Sequence, residues 1–432
     1  MADLTGIVTR RRSRWGAALR IAVVPAVAAA LAATGTPAAA ADGTPAEPVI
    51  VRLQPGSDPD VQAREATARG AHVTFVYHDV FPGYAAVLPP GGLRGVEGGP
   101  GVVAVDPDTP LRISDAGPAP AGTSWGLDRI DQHALPLSAT YSPPAADRNG
   151  RGVTAYVIDS GIAADHKDLG GRVRSGFSSV DDGRGTRDCA GHGTHVAGTI
   201  GGAARGVASA VSLVAVRTLD CDGSGETSGV VAGMDWVARD HRAGAPAVAN
   251  LSLAGEASDS VDAAVRGLVA DGVTVAVAAG NENEDACNSS PSREPLALTV
   301  AATGRDDRRA SFSNRGKCVD LFAPGVDIVS DWDTGPVSTQ RLSGTSMATP
   351  HVTGAAALLL GATPSLTPAQ VAARLLAAAT PGVVRGARSG DPDKLLYVGS
   401  AVPAGTAPGA PAVSRPSRPA VSRPPARASS AG

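Results

Sequence analysis

The stretch Val153-Thr154-Ala155-Tyr156-Val157-Ile158-Asp159-Ser160-Gly161 decides the fold. From Val153 to Ile158 it is uncharged and rich in β-branched and aromatic side chains, a run that suits a strand buried on both faces of a parallel sheet. The run ends at Asp159, just before Ser160-Gly161. A carboxylate at the end of such a strand, ahead of a glycine turn, stands where open α/β sheets carry their chemistry. Outward from this point, apolar runs recur near 212–216, 247–251, 273–278 and 296–302, alternating with helix-like stretches near 193–201, 227–239, 258–270 and 347–361. The alternation predicts an α/β fold, a parallel sheet flanked by helices on both faces. A last helix, to about Ala379, is announced by Thr367-Pro368-Ala369-Gln370, a capping box with proline at the first position.

Two further segments supply chemistry. In Gly191-His192-Gly193-Thr194-His195-Val196-Ala197-Gly198, small residues let a helix start close to a neighbouring backbone, with His192 in its first turn. In Ser343-Gly344-Thr345-Ser346-Met347-Ala348-Thr349-Pro350-His351-Val352, Ser346 falls at the mouth of an apolar helix, where unpaired amides and the dipole favour developing negative charge. Alone, this segment reads equally well as an ordinary helix cap. A serine becomes a strong nucleophile only when a base takes its proton and a third group orients that base. Ser346, His192 and Asp159 fill those three roles in this reading. Zinc on His192 and His195 is the rival, but no glutamate stands between them and no third ligand is evident. His195 and His351 read as structural.

The order Asp, His, Ser along an α/β chain is that of subtilisin. From about residue 123 to 400 the chain resembles the subtilisin-like serine peptidases, most closely the secreted proteinase K and aqualysin branch. The resemblance rests on Val157-Ile158-Asp159-Ser160-Gly161, His192-Gly193-Thr194-His195-Val196-Ala197-Gly198, Ala278-Ala279-Gly280-Asn281 and Gly344-Thr345-Ser346-Met347-Ala348. It implies a serine endopeptidase working through an acyl-enzyme, with the Asn281 side chain and the Ser346 N–H as oxyanion donors. Peptides should add as an extended strand, since main-chain pairing reads many sequences with one groove. The implied edges are Gly223-Ser224-Gly225 and Ser252-Leu253-Ala254-Gly255. Ala254 stands where relatives usually carry Gly, and Ala190 where they carry Asn. The Ala254 methyl would narrow the first specificity pocket, a change worth about 1–3 kcal/mol of discrimination. A broad apolar preference before the cut follows, with bulky aromatics the residues most affected.

The resemblance also implies structural calcium (Ca2+). One ligand set is Asp128, Asp131, Gln132, the Ser138 carbonyl and Thr140; a second is the carbonyls of Pro295 and Ala297 with Asp320. Oxygen-only ligands at irregular spacing suit calcium. Asp181, Asp182 and Asp188 form a weaker third set. Four cysteines in a secreted chain are first read as two disulfides, and sequence alone permits three pairings. The resemblance implies Cys189 with Cys221 and Cys287 with Cys318; a four-thiolate zinc site is disfavoured because no C-x-x-C is present.

The 432 residues divide into segments. Residues 1–41 read as a secretory signal: a basic run from Arg10 to Arg20, a short apolar run from Ile21 to Ala33 and small residues at Ala38 to Ala41. Residues 42–117 form a propeptide and linker, in which 48–106 shows a βαββαβ pattern of ferredoxin-like type. By resemblance this part is a folding template and inhibitor whose end lies in the cleft. Residues 118–402 form the catalytic domain. The tail at 403–432, rich in Pro, Ser, Arg and Ala, has little to bury. Both termini are basic while the whole chain carries −3, so the middle is acidic, which argues against nucleic acid as a partner. No further long apolar run predicts a membrane span. The expected partners are peptide substrates and the chain's own propeptide, and a monomer is expected. Alternatives are a dedicated processing peptidase of mycosin-like type and a catalytically dead peptide-binding module.

Overall fold

The computed structural model describes residues 46–114, 125–143 and 149–399. The expected signal, the Asp115 to Pro120 linker and the tail lie outside the described residues. The first elements are β1 (Glu47–Leu53), α1 (Pro59–Ala68), β2 (His72–Tyr77), β3 (Gly83–Leu88), α2 (Leu93–Glu97) and β4 (Val102–Pro107), in the βαββαβ order read from sequence. They make an antiparallel sheet of order β2-β3-β1-β4. Helix α1 starts where the Asp58 side chain accepts from the Asp60 and Val61 N–H groups and Pro59 takes the first position. Its Ala63 and Ala66 pack on Val49, Val51 and Leu88 of the sheet.

A short strand, β5 (Pro110–Ile113), follows in a stretch to which the sequence reading gave no element. Its pairing partners lie more than a hundred residues further on, so no local pattern announces it. The remaining elements are α3 (Gly126–Ile130), β6 (Thr154–Asp159), β7 (Val173–Ser178), α4 (His192–Gly201), β8 (Ser212–Arg217), β9 (Ser224–Glu226), α5 (Thr227–Asp240), β10 (Ala247–Leu251), β11 (Leu253–Glu256), α6 (Asp259–Asp271), β12 (Thr274–Ala278), β13 (Ser289–Ser290), β14 (Leu298–Thr303), β15 (Leu321–Pro324), β16 (Ile328–Asp331), β17 (Thr339–Leu342), α7 (Thr345–Ala362), α8 (Pro368–Ala378), β18 (Thr380–Pro381) and β19 (Lys394–Leu395).

The main sheet runs β18-β19-β15-β14-β12-β10-β6-β8-β7, and its strands from β7 to β15 are all parallel. Strand β6 shows why it needs two covered faces. Ala155 and Val157 join a cluster with Val196 and Ile200 of α4, Val352 and Ala355 of α7 and Val371 of α8. Tyr156 and Ile158, pointing the other way, join Val230 and Met234 of α5 and Val261 and Leu268 of α6. The C-terminal end of β6 meets the start of α4, and the residue after the neighbouring β10, Ser252, meets the start of α7.

The N-terminal α+β unit packs on α5 and α6 through Ile50, Tyr77 and Val80, which share the second cluster. Asp235 of α5 accepts from the His78, Asp79 and Val80 N–H groups at 2.9, 2.6 and 3.1 Å. Asp108 accepts from the Ser228 N–H at the start of α5, a carboxylate placed at the positive end of a helix. Strand β5 then lies between β9 and β11, antiparallel to both.

Candidate active site

Asp159 ends β6 and is fully buried; its Oδ1 lies 2.8 Å from Nδ1 of His192, the first residue of α4. The close approach of strand end and helix start requires glycine, because a Cβ at Gly193 would lie 2.1 Å from the Gly161 carbonyl oxygen. Asp188 braces this junction. Its Oδ1 accepts from Ser160 Oγ and from the Ala190 and Gly191 N–H groups, and its Oδ2 from the N–H and hydroxyl of Thr194. Ser160 Oγ in turn accepts from the Gly193 N–H at 3.0 Å. Burial raises the Asp188 carboxyl above its ordinary range, and the hydrogen bonds from Thr194, Gly191 and Ser160 oppose that rise.

The set Asp181, Asp182 and Asp188 therefore gains no cation-binding geometry. Asp188 uses both oxygens on donors, and Asp182 is held by the Arg217 guanidinium at 2.7 Å through each nitrogen. That pairing holds the Asp182 carboxyl well below the usual range. Arg217 Nη2 also lies 3.3 Å from Cys189 Sγ, beside the Cys189–Cys221 disulfide; the second disulfide joins Cys287 and Cys318.

Ser346 is the second residue of α7 and is buried. Its Oγ donates to the Ser252 carbonyl at 2.9 Å, and Ser252 Oγ donates back to the Ser346 carbonyl at 2.9 Å. The second bond has a sequence cause. Residue 350 is proline and has no N–H for the carbonyl four residues earlier, so Ser346 needs a partner from outside its helix. Asn250 Nδ2 donates to Ser252 Oγ, and Thr353 Oγ1 donates to Asn250 Oδ1, each at 2.8 Å. Asn281 Oδ1 accepts from the N–H and hydroxyl of Thr345, both at 3.0 Å. That leaves Asn281 Nδ2 buried, without a hydrogen-bond partner among the described residues.

The two expected substrate edges flank β5. Leu253, Ala254 and Gly255 pair with Ile113, Arg112 and Leu111, while Ser224 and Gly225 pair with Arg112 and Leu111. Ile113 N–H donates to the Gly223 carbonyl at 3.0 Å, and Ser114 N–H to the Ser252 carbonyl at 3.3 Å. The Ser346 N–H donates to the Ser114 carbonyl at 3.1 Å. Sequence reading missed the Asn250–Ser252 chain, for which Pro350 inside a predicted helix was the available signal.

The first calcium ligand set is drawn together. Both Asp128 oxygens accept from the Ser138–Ala139 segment, Gln132 Oε1 accepts from the Ser138 N–H, Ser138 Oγ and Thr140 Oγ1 lie 2.8 Å apart, and Asp131 accepts from Ser142. A cation there would displace donors already in place. Asp320 accepts the Thr299 N–H, two residues beyond Ala297, at 2.8 Å, and burial pushes its carboxyl up to about 6. A carboxylate whose charge burial disfavours is suited to a hard cation. Behind the site, His195 Nε2 faces the Ile328 carbonyl and His351 Nδ1 the Met347 carbonyl. Burial lowers His195 to about 3 and His351 to about 4, which keeps both neutral.

With this geometry in hand, residues 150–399 match the model of the subtilase family. An extracellular serine proteinase of Thermus sp. strain Rt41A is 49% identical over 363 residues, 83% of this chain and 87% of that protein. A cuticle-degrading protease of Metarhizium anisopliae is 42% identical over 390 residues, 88% of this chain and 98% of that protein. Among solved structures, that of a cold-adapted subtilisin-like serine proteinase is similar with a TM-score of 0.62 at 50% identity, covering 65% of this chain and 100% of the other.

Proposed function

The chain belongs to the subtilase family and is a subtilisin-like serine proteinase, and from that premise we propose a secreted endopeptidase acting through Asp159, His192 and Ser346. The Ser346 hydroxyl turns from the Ser252 carbonyl to His192, which takes its proton as Oγ attacks the scissile carbonyl, and Asp159 stabilises the imidazolium through Nδ1. The acyl-enzyme is then released by water. The observation that carries this reading is the buried 2.8 Å contact between Asp159 and His192. The unpartnered Asn281 Nδ2 and the Ser346 N–H are suited to the oxyanion.

Substrates bind as a strand between residues 223–225 and 252–255, with apolar residues favoured before the cut. Support comes from β5, which already pairs with both edges. The N-terminal α+β unit acts as an intramolecular inhibitor that the enzyme removes. Secretion is supported by the extracellular relative and by the basic and apolar runs at the N-terminus; among the described residues no helix is long and apolar enough to cross a membrane. A Ser346→Ala chain should remain a full precursor without peptidase activity while the parent yields a shorter active form. Equal processing and activity in both would defeat the reading.

Calcium would be held by Asp320 with the Pro295 and Ala297 carbonyls, supplying positive charge to a carboxylate that burial otherwise disfavours. Saturation at about a hundred times Kd stabilises by about 2.7 kcal/mol. Chelation with EDTA should therefore lower Tm by several degrees, and calcium should restore it; an unmoved Tm would remove calcium from the account.

A further inference from the structure

We propose that the bond the enzyme cuts in its own chain is the one following the Ser114 carbonyl, so that the released N-terminal part ends at Ser114 and the mature protein begins at Asp115. The inference rests on the peptidase reading above and adds the position, which nothing in the local sequence marks. The Ser114 carbonyl oxygen accepts the Ser346 N–H at 3.1 Å, the donor assigned to the oxyanion. The Ser114 N–H and Ser346 Oγ share one acceptor, the Ser252 carbonyl, at 3.3 and 2.9 Å. Residue and nucleophile therefore meet at the same point of the cleft edge. Ser114 Oγ also lies 3.2 Å from Thr345 Oγ1.

The register leaves little room for another bond. Strand β5 is pinned on both sides, Leu111 against Gly255 and Gly225, and Arg112 against Ala254 and Ser224. A slip of one residue would turn Leu111, now 1% exposed, out of the apolar cluster it shares with Leu219 and Leu253. Gly223, at φ +72°, makes space for Ile113: a Cβ there would lie 2.7 Å from Ile113 Cδ1.

In the reaction Ser346 Oγ bonds to the Ser114 carbonyl carbon and the bond to the Asp115 nitrogen breaks. The hydroxyl proton passes through His192 to the departing amine. Water then cleaves the ester, leaving a Ser114 carboxylate and a free Ser346. The test is a time course of the full chain, with mass spectrometry of the first N-terminal fragment and sequencing of the first mature N-terminus. Repeating it with the slower Asn281→Ala chain captures the first cut before any trimming. A fragment ending at Ser114 with a partner beginning at Asp115 is expected. A first fragment ending elsewhere, in a preparation that hydrolyses peptides, overturns the assignment and leaves the peptidase reading intact. A chain that stays whole and hydrolyses nothing overturns both.

Discussion

At the scale of single residues the site depends on which polar groups are satisfied and which are kept open. Asn281 has its carbonyl occupied twice by Thr345, so its amide is oriented before substrate arrives. Losing one such donor in a subtilisin costs about 10²–10³ in turnover, and Asn281→Ala should lose kcat by that order with KM little changed. Steady-state kinetics on one peptide decides it; a purely KM effect would reassign Asn281 to substrate binding. Ser252 serves a different need, that of the Ser346 carbonyl that Pro350 leaves without an N–H. Ser252→Ala should cost about 1–3 kcal/mol for each of the two buried groups it strands, the Ser346 carbonyl and the Asn250 amide. Adding Pro350→Ala restores an N–H in the helix and should return part of the loss. Urea unfolding of the two single variants and the double variant, on a Ser346→Ala background, measures the coupling, and strict additivity would sink this account.

At the scale of elements, α4 must start against the Asp159 turn, and Asp188 holds the two together. Asp188→Asn keeps the volume but turns an amide NH2 toward existing donors. We expect a stability loss of about 2–4 kcal/mol from the unmatched donors, together with a fall in kcat larger than any rise in KM. A variant with parental kcat would show the clamp to be structural only. The elements most legible in the sequence were those buried on two faces: β6, β8, β10, β12 and β14 are apolar runs, and Asp159 was readable because it ends one. Strand β7, with Arg174, Ser175 and Gly176, carries edge polarity, and β15 is four residues ending in Pro324, so neither shows a periodic pattern. Strand β5 was illegible for another reason, since its pairing is wholly long-range. The motifs carried His192, Ser346 and Asn281 into view, but the hydrogen-bond chain from Thr353 through Asn250 to Ser252 is a property of three elements meeting.

At the scale of the whole molecule, buried titrating groups set opposing pH limits. His195 and His351 have folded pKa values of about 3 and 4, below the ordinary histidine value of about 6.5, because burial disfavours their charged forms. Below about pH 6.5 the unfolded chain gains protons that the folded chain refuses, so their contribution is complete above that pH and is lost as pH falls toward 4 and 3. Asp331 works in the other sense. Burial and the neighbouring Asp168 raise its carboxyl to about 7, so the folded chain keeps a proton the unfolded chain has released, and stability is lost as pH rises from about 4 to 7. Each group alone contributes a slope of about 1.4 kcal/mol per pH unit inside its window. Substitution separates them, whatever the remaining groups do. On a Ser346→Ala background with calcium present, His351→Gln should flatten the acid side between pH 6 and 4.5 by about that slope, while Asp331→Asn should remove a loss of stability between pH 4.5 and 6.5. Urea midpoints measured across that range decide the matter: parallel curves for parent and His351→Gln would mean that His351 is protonated in the folded protein, and with it the buried neutral face behind the site would have to be abandoned.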